Sequence, residues 1–552
     1  MESKSISSAN GRQLTRKTAD YVFFAIVCLL LLIYMGIFVY LNLCQYTRHI
    51  DSDIAAEALL AREIWQEKDL TPDTWIASTD RRVLGIPSLA SLFYGMSGSM
   101  NLAMGISCII VGGALLAAIA YTLKGCHFSR LGVATGLLAL CALPIGGLRN
   151  DGQMVPFVML LWFLFAGYYA LHCICLFLCI AFYSYLREAA PSRAQTPRNH
   201  LRHLRRSLAW LALTGLCGAL ALGGMRCLQI VILPLLVLEL LLLFFESEHM
   251  SRPLPRERWR ATLFVLSLLA VGMLARLYPA NIEYPLYLQT AEGMTDRLTR
   301  DIPAAVLECL GITGNCTPGS LSALMQLGVL AVLALTVYGL CVLFAGNKMS
   351  FHQKYLLQAL GTSFLLTVFI ETVTTAELAH NYFFAVWFVI MATLAAMISH
   401  YEKAAPFFAR LIVVCVCIFA VCNIFYTYKD CVATKDNLKE YEEVIAYMES
   451  ENIDCGYAEF WDASRICGMT DGRLTMGHCY RMEDLRMYWW LTSTKWYVPN
   501  LPEEMRTAYV VRREDKEAFL EQFEDDSIVS LGYENDRFAV YVSERNLVPM
   551  TT

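Results

Sequence analysis

The chain has 552 residues, of which 57% are hydrophobic and 17% are charged, and its formal net charge is −5. A soluble protein of this length would not carry so many long uncharged apolar runs, so the composition excludes an ordinary soluble protein and indicates an integral membrane protein. Outside the membrane-flanking loops no basic stretch is interleaved with aromatic residues, which excludes nucleic-acid binding.

The first apolar segment is too long for a cleavable signal peptide, and no small-residue cleavage site follows it. It is therefore predicted to be the first of about eleven membrane spans, since a run of roughly 20 apolar residues crosses the hydrocarbon core. In chain order, the predicted spans are 21–43, 100–123, 131–148, 154–186, 208–222, 228–245, 261–277, 321–344, 356–370, 382–399 and 409–426. The run 154–186 exceeds one span, so its first part is expected to lie in the interface or to tilt.

Lys and Arg cluster in alternate loops, and the positive-inside rule places these loops in the cytoplasm. The basic segments contain Arg12, Arg16 and Lys17; Lys124 and Arg130; Arg187, Arg193, Arg198, Arg202, Arg205 and Arg206; Arg252, Arg256, Arg258 and Arg260; Lys348 and Lys354; and Lys403 and Arg410. The N-terminus is therefore predicted to be cytoplasmic. An odd number of spans then places the end of the chain on the extracytoplasmic side.

Two regions follow from this layout: a transmembrane domain at 1–426, with long outer loops at 44–99 and 278–320, and an extracytoplasmic domain at 427–552. The first loop shows amphipathic helical patterning from Ile54 to Lys68. The tail mixes helical and strand-like stretches, which predicts a small α/β domain. Its predicted helices are Asp436 to Glu451 and Asp515 to Phe523, and its predicted strands are Cys455 to Trp461, Ala508 to Val511, Ser527 to Gly532 and Phe538 to Val542.

Most of the 20 cysteines lie inside apolar spans, where they act as small packing residues. Those outside the spans would form disulfides if the compartment is oxidising, although the sequence does not give their connectivity. They are Cys309, Cys316, Cys431, Cys455, Cys467 and Cys479.

Two aspartates follow the first span directly, in the sequence HIDSDIAAEALLAREIW. Asp51 and Asp53 lie where the chain leaves the membrane, and Glu57 follows about one helical turn later. Loss of solvation there raises the proton affinity of a carboxylate, which makes it a better general base. The alternative is an ordinary helix start, in which the aspartates cap free N–H groups. Asp51 and Asp53 could also coordinate a divalent cation, so a metal cofactor stays open.

Three arginines occur at the predicted outer ends of spans, where the positive-inside rule expects few basic residues. Arg149 lies in GGLRNDGQ, Arg226 in GGMRCLQ and Arg276 in MLARLYP. A guanidinium at headgroup level can form forked hydrogen bonds to a phosphate, so this set predicts binding of a lipid phosphate or pyrophosphate. The alternative is snorkelling, or pairing with nearby carboxylates such as Asp151.

The outer loop ETVTTAELAHNYFF brings several polar residues to another span junction. Glu371, Glu377, His380 and Tyr382 could bind a sugar or orient a phosphate. Residues of these types at a span end are more often interfacial anchors, which is the interpretation favoured here. Their spacing matches no zinc motif.

The layout and the first-loop residues together resemble the GT-C superfamily of membrane glycosyltransferases. That group includes protein O-mannosyltransferases and the bacterial aminoarabinose and arabinosyl transferases. Its members have many spans and an acidic motif in a long first outer loop, just past the first span. Here the motif is Asp51-Ser52-Asp53 in place of the usual Asp-Glu pair, which leaves open which aspartate acts. The stretches DTWIASTDRRVLGIPSL, GYAEFWDASRI and GRLTMGHC resemble uncharacterised Gram-positive members.

The resemblance implies transfer of a sugar from a polyprenyl-phosphate carrier to an extracytoplasmic glycan, lipid or protein acceptor of the cell envelope. Asp51, or else Asp53, would take a proton from the acceptor hydroxyl as it attacks the anomeric carbon, with inversion. The three outer arginines would stabilise the departing lipid phosphate. First-loop helices would lie at the interface and wall the cavity. Trp461, Trp489 and Trp490 could stack on a sugar, although a core packing role is favoured.

Two other functions fit the membrane layout. A lipid-linked saccharide flippase or transporter would be expected to show ionisable residues at mid-span and internal inverted repeats. Glu239 is the clearest deep acidic residue, and the sequence shows no repeat, so transport is the weaker interpretation. The other alternative is a non-catalytic scaffold of the cell envelope, in which the aspartates are only helix caps.

Overall fold

The structure is a computed structural model, and it describes residues 2–48, 50–78, 83–143, 147–148, 154–155, 169–188, 197–248, 256–278, 287–312, 316–376, 378–433, 438–523 and 527–550. Helices dominate these ranges. In chain order they are α1 (Glu2–Cys44), α2 (Ser52–Glu67), α3 (Ile86–Ser97), α4 (Met100–Gly125), α5 (Arg130–Ala142), α6 (Ala170–Arg187), α7 (Pro197–Leu222), α8 (Leu233–Glu248), α9 (Arg256–Ala275), α10 (Ala291–Asp296), α11 (Ile302–Cys309), α12 (Leu321–Ala345), α13 (Phe351–Val373), α14 (Ala385–Ala404), α15 (Pro406–Ala433), α16 (Lys439–Ser450), α17 (Phe460–Met469) and α18 (Lys516–Glu521).

Within the described ranges, nine helical segments are long and apolar enough to cross a membrane, so the protein is a multi-pass membrane protein. Two further predicted spans fall on other helices. The segment 131–148 corresponds to α5, an apolar helix of only 13 residues. The segment 208–222 is the apolar second half of α7, whose first half is basic. Of the overlong run 154–186, α6 covers the part from Ala170 onward.

Serine caps begin four of these helices. The hydroxyls of Ser99, Ser129, Ser320 and Ser350 each accept a hydrogen bond from a backbone N–H three residues later, at the starts of α4, α5, α12 and α13. Such a cap satisfies one of the free donors of the first turn and contributes about 1 kcal/mol. The sequence therefore fixes where several helices begin, even though their apolar runs extend without clear boundaries.

The tail contains a five-stranded mixed sheet, as the sequence predicted for a small α/β unit. Its strands are β4 (Cys455–Glu459), β5 (Thr475–Cys479), β7 (Thr507–Arg512), β8 (Ser530–Glu534) and β9 (Phe538–Ser543), and the short strands outside this sheet are β1 (Trp75–Ile76), β2 (Gly147–Leu148), β3 (Met154–Val155) and β6 (Thr492–Ser493). The order in the sheet is β5-β4-β7-β9-β8. Strands β4 and β5, and β4 and β7, pair in parallel, whereas β9 pairs antiparallel with both β7 and β8.

Helix α2 connects the tail to the membrane helices. It contacts α17 on one side and α3 and α4 on the other, and α17 in turn packs against β4 and β5. Eleven of its 16 residues are buried, four of them Ala, whose small side chains allow this close packing from two sides. The helix predicted at Ile54 to Lys68 is confirmed, but it is enclosed by other helices and does not lie open on one face.

The first loop and the tail are also joined by a strand pair and an ion-pair cluster. Trp75 of β1 lies opposite Ser493 of β6 in an antiparallel pair. The Lys495 ammonium is 2.7 Å from a carboxylate oxygen of Glu63 and 2.7 Å from one of Glu67. The Glu63 side chain is only 2% exposed, so the lysine neutralises a buried charge. Residues separated by more than 400 positions thus form one packed unit.

The cysteines proposed for disulfides are free thiols wherever the structure describes their side chains: Cys309, Cys316, Cys455, Cys467 and Cys479. The expectation of disulfides is therefore wrong for these residues. The three tail cysteines are buried within the sheet and its helix, where they pack as small apolar residues. The side chain of Cys431 lies outside the described residues.

Glu239 is buried between helices, but its charge is compensated. Its carboxylate pairs with the Arg258 guanidinium and accepts hydrogen bonds from Tyr183 Oη at 2.6 Å and Thr262 Oγ1 at 2.5 Å. The Tyr183 ring also stacks on Tyr355, with centroids 4.1 Å apart. These contacts tie α6, α8, α9 and α13 together.

Candidate functional site

Asp51 is the N-cap of α2. Its backbone is extended, with φ −101° and ψ 179°, and its Oδ1 accepts a hydrogen bond of 2.7 Å from the Ile54 N–H. The helix-cap interpretation of this aspartate therefore holds. Capping occupies one carboxylate oxygen and leaves a second oxygen with the acceptor capacity that a general base needs.

The surroundings of Asp51 raise its pKa to about 7. The main cause is that nearby protein displaces water, and the negative charge of Asp53 adds to it; the Ile54 N–H and the positive charge of Arg465 act in the opposite direction. The side chain nevertheless keeps access to solvent. A solvent-accessible carboxylate that exchanges its proton near neutral pH has the properties of a general base.

Arg465 of α17 is a site residue that the sequence reasoning missed. It is half-buried, its positive charge acts on Asp51, and its guanidinium carbon lies 4.8 Å from the centre of the Tyr441 ring. Its Nε is buried without a hydrogen-bond partner in the described part of the chain. The only signal in the sequence is that GYAEFWDASRI contains this arginine.

The start of α17 is held against the start of α2. The Ser52 hydroxyl donates a hydrogen bond to the backbone carbonyl of Trp461. Behind it, the buried Asp462 carboxylate accepts hydrogen bonds from Arg512 Nε at 2.8 Å and from Tyr441 Oη at 2.5 Å. The electrostatic effect of Arg465 on Asp51 thus follows from the packing of α17 against α2.

The other two carboxylates of the acidic segment lie within α2. Asp53 is half-buried and Glu57, one turn later on the same side of the helix, is 2% exposed. Both are engaged in interactions within the protein. Glu57 is therefore more enclosed than a residue at a solvated helix start would be.

Beside the acidic segment, a groove of about 300 Å³ separates the end of the first span from α16. Thr47 and Arg48 line one side, Glu442 and Glu449 line the other, and Met469 of α17 also contributes. Two of its lining residues are close in sequence to the site, since Arg48 precedes Asp51 by three residues and Met469 follows Arg465 by four.

Two of the three predicted phosphate-binding arginines are described, and both are half-buried. Arg226 follows α7 and lies over the Tyr169 ring, with 5.1 Å from its guanidinium carbon to the ring centre. Arg276 follows α9 directly. Because α7 and α9 pack together and α8 runs between them, both arginines lie at the same end of these helices. Arg149 lies outside the described residues.

The predicted junction at ETVTTAELAHNYFF contacts the second long loop. Arg297 donates hydrogen bonds of 2.7 Å to the backbone carbonyls of Glu371 and Ala376. The Glu371 side chain is 3% exposed, and its Oε2 is buried with no hydrogen-bond partner in the ranges described. His380 Nδ1 lies 3.8 Å from Glu308, and Tyr382 is partly buried. Glu377 lies outside the described residues.

The tryptophans of the tail differ in exposure. Trp461 is 57% exposed and Trp489 is 39% exposed, whereas Trp490 is half-buried. The preference for a core role is therefore wrong for Trp461 and Trp489, whose side chains are exposed. The Trp461 ring is available to stack on a sugar, at the residue whose backbone carbonyl accepts the Ser52 hydrogen bond.

No protein-family model and no curated protein matches this chain. Among solved structures, it is similar to ArnT from Cupriavidus metallidurans bound to undecaprenyl phosphate, with 13% identity, a TM-score of 0.43 and coverage of 99% of this chain and 100% of that chain. It is also similar to the Archaeoglobus fulgidus oligosaccharyltransferase in complex with zinc and sulfate, with 12% identity, a TM-score of 0.44 and coverage of 93% of this chain and 72% of that chain. At these identities and TM-scores, the similarities assign neither activity nor site residues to this chain, which have to be inferred from its own geometry.

Proposed function

We propose that this protein is a membrane glycosyltransferase that moves a sugar from a polyprenyl-phosphate carrier to an acceptor. The observation that carries the proposal is the placement of Asp51. It is a solvent-accessible carboxylate at the end of a membrane span, with a pKa of about 7, and the positive charge of Arg465 acts on it.

In the proposed reaction, Asp51 accepts the proton of the acceptor hydroxyl as that oxygen attacks the anomeric carbon. The bond from that carbon to the phosphate oxygen breaks in the same step, so the configuration inverts and a polyprenyl phosphate leaves. Asp53, two residues away, raises the pKa of Asp51 through its charge. Asp53 is the alternative base.

Arginines are proposed to hold the leaving phosphate. Arg226 and Arg276 lie at one end of neighbouring helices, and Arg149 is proposed to join them. Guanidinium groups suit this role because they bind phosphate oxygens in a forked geometry and keep their charge. They would stabilise the negative charge that develops as the carrier departs.

The acceptor is proposed to approach from the groove beside α16. Its polar walls carry both Arg48 and the carboxylates Glu442 and Glu449, which fits a hydroxyl-rich ligand. The exposed Trp461 would provide a stacking surface for a sugar ring. In this scheme residues 427–552 form an extracytoplasmic domain that supplies acceptor contacts, and the N-terminus is cytoplasmic.

The test uses the full chain in lipid nanodiscs with a panel of polyprenyl-phosphate sugars, and it measures release of polyprenyl phosphate. Asp51→Asn is expected to lower turnover by at least about 100-fold, the usual scale for loss of a general base. Asp53→Asn is measured in parallel to decide which aspartate is the base. Asp73→Asn, an exposed acid of the same loop, is the matched control and should keep full turnover.

If Asp51→Asn and Asp53→Asn both keep wild-type turnover, the aspartates are only structural and this assignment fails. A flippase would instead move labelled lipid across the bilayer without releasing polyprenyl phosphate. A scaffold would show neither property.

A further inference from the structure

Three side chains from distant parts of the chain meet at the other end of the helices. His127 lies in the turn after α4, Glu188 follows α6, and His352 is the second residue of α13. One ligand-type atom from each lies within 4.8 Å of the other two. His127 Nε2 is 3.4 Å and His352 Nε2 is 3.8 Å from Glu188 Oε1. These residues are called the His–Glu cluster.

We propose that the His–Glu cluster binds one divalent transition-metal ion, for which zinc is the probe in the experiment below. Two imidazole nitrogens and one carboxylate oxygen are a ligand set that zinc accepts, whereas magnesium and calcium prefer oxygen ligands. Tetrahedral zinc with bonds of about 2.0–2.1 Å separates its ligand atoms by about 3.4 Å. Two of the observed separations are already 3.4 Å and 3.8 Å, so small side-chain rotations complete the site.

The backbone around the cluster is held in place independently of any metal. His127 has a left-handed conformation with φ 65°, and its N–H donates to the Lys124 carbonyl at 3.0 Å. The Gln353 side-chain amide donates to the His127 carbonyl at 3.3 Å. Gln353 also completes a capping box with Ser350, so the first turn of α13 is fixed. The backbone at both histidines is therefore fixed by hydrogen bonds before a metal binds.

The exposure of the three residues gives the site an open side. His127 is 61% exposed and Glu188 is 42% exposed, whereas His352 is only 14% exposed. Water would therefore take the fourth position of a tetrahedral ion. The Arg187 guanidinium lies 4.7 Å from the centre of the Phe351 ring, and its positive charge acts on His352, which weakens cation binding. His352 Nδ1 is buried without a partner in the described residues, so the usual outer hydrogen bond of a metal-bound histidine is missing.

The positive charge of Arg187 and the missing outer hydrogen bond of His352 indicate a site that exchanges its metal, in contrast to a permanent structural site. A bound ion would link α4, α6 and α13. It would lie far from Asp51, because the 26 residues of α4 span about 39 Å and separate the two ends. The ion would therefore stabilise the packing of these three helices and take no part in sugar transfer. The alternating basic loops predict that this end lies in the cytoplasm.

The experiment measures zinc binding by the full chain in nanodiscs after treatment with a chelator. Isothermal titration and thermal unfolding are expected to show one equivalent of Zn²⁺ that raises Tm. His127→Gln is the central variant, because this exposed side chain can be changed without disturbing the core. It should weaken binding by at least about 100-fold, since even outer hydrogen-bond partners of a metal site contribute 10–100-fold.

Three controls make the outcome specific. His400→Gln, which changes a histidine of α14 outside the cluster, should keep the zinc equivalent. Asp51→Asn should also keep it, which separates this site from any cation at the acidic segment. Glu188→Gln should lose the zinc equivalent, because it removes the carboxylate but keeps the size of the side chain. Binding that His127→Gln leaves unchanged, or that His400→Gln removes equally, would show that zinc binds elsewhere, for example to cysteine thiols, and the proposal would be wrong.

Discussion

A single carboxylate, Asp51, combines two roles that the sequence presented as alternatives. It caps α2 through one oxygen, and its pKa is raised to about 7. The two roles are compatible because the carboxyl group keeps an oxygen that accepts the capping hydrogen bond whether or not it is protonated. A general base needs, in addition, a pKa near the working pH. The helix cap and the general base are therefore not mutually exclusive interpretations of Asp51.

Asp51→Asn separates the two roles. Asn is as good a cap as Asp, so α2 should persist while the base is lost. In the wild type, the pKa rises from 3.8 to about 7 on folding, so the stability that the neutral form provides is present below about pH 4 and is lost as pH rises through 7. The variant should therefore be inactive yet more stable than the wild type at pH 8. Thermal unfolding at pH 4 and pH 8 measures the difference, and equal shifts at both values would contradict it.

Arg465→Met tests the arginine whose charge acts on Asp51. Removing a positive charge that lowers the pKa of Asp51 should raise that pKa further. In Arg465→Met, the acidic limb of the plot of kcat/KM against pH should move to higher pH. Arg465→Lys should move it part of the way back. Arg481→Met, an exposed arginine paired with Glu483, is the control. A uniform loss of rate with no movement of the limb would assign Arg465 a purely structural role.

At the scale of elements, the contact between α2 and the tail builds the site. Lys495→Met would leave the buried Glu63 carboxylate without its main partner, and loss of one partner of a buried pair costs about 3–5 kcal/mol. Because Lys495 is 41% exposed, we expect a smaller loss of about 2 kcal/mol. Lys439→Met breaks only an exposed pair and should change stability by less than about 0.5 kcal/mol. Denaturant unfolding followed by tail tryptophan fluorescence compares the two, and equal effects would argue against the buried pair.

The elements show what the sequence could and could not predict. The helix at α2 was predicted from its helical pattern, and β4, β7 and β9 were predicted from short apolar runs. The predicted strand Ser527 to Gly532 overlaps β8, which begins three residues later and is mostly exposed. Strand β5, with the sequence TMGHC, was missed because it has no β-branched or aromatic run. The strand predicted as Cys455 to Trp461 runs two residues too far, because α17 begins within the same apolar stretch.

The site was predictable only in part for a related reason. Asp51 follows a membrane span, and that local signal is visible in one stretch of sequence. Arg465 reaches the site through packing between α2 and α17, a contact over more than 400 residues that no local pattern reveals. The His–Glu cluster likewise joins three separate segments, so it became visible only in three dimensions.

At the scale of the whole molecule, variants of the buried Glu239–Arg258 pair distinguish a glycosyltransferase from a transporter. Glu239→Gln or Arg258→Met alone should destabilise the protein by about 3–5 kcal/mol, because each leaves a buried partner unpaired. The double variant Glu239→Leu with Arg258→Met should recover most of this loss and keep sugar transfer. A stable double variant without activity would instead point to a functional charge in the membrane, as a transporter requires.

The orientation of the whole chain is a separate prediction from the alternating basic loops. A reporter enzyme that is active only outside the cytoplasm should be active when fused after residue 550 and inactive when fused at the N-terminus. The opposite pattern would place Asp51 on the cytoplasmic side and remove the basis for an extracytoplasmic acceptor.

The pairing of β1 with β6 sets an order of events during biosynthesis. Ribosomes make Trp75 early, but its strand partner Ser493 emerges only after the last span has been synthesised. Until then, α2 lacks the helix that covers it, and Asp51 lacks Arg465. A nascent or truncated chain would therefore have its membrane helices but an incomplete site. Only the full-length chain could then transfer a sugar.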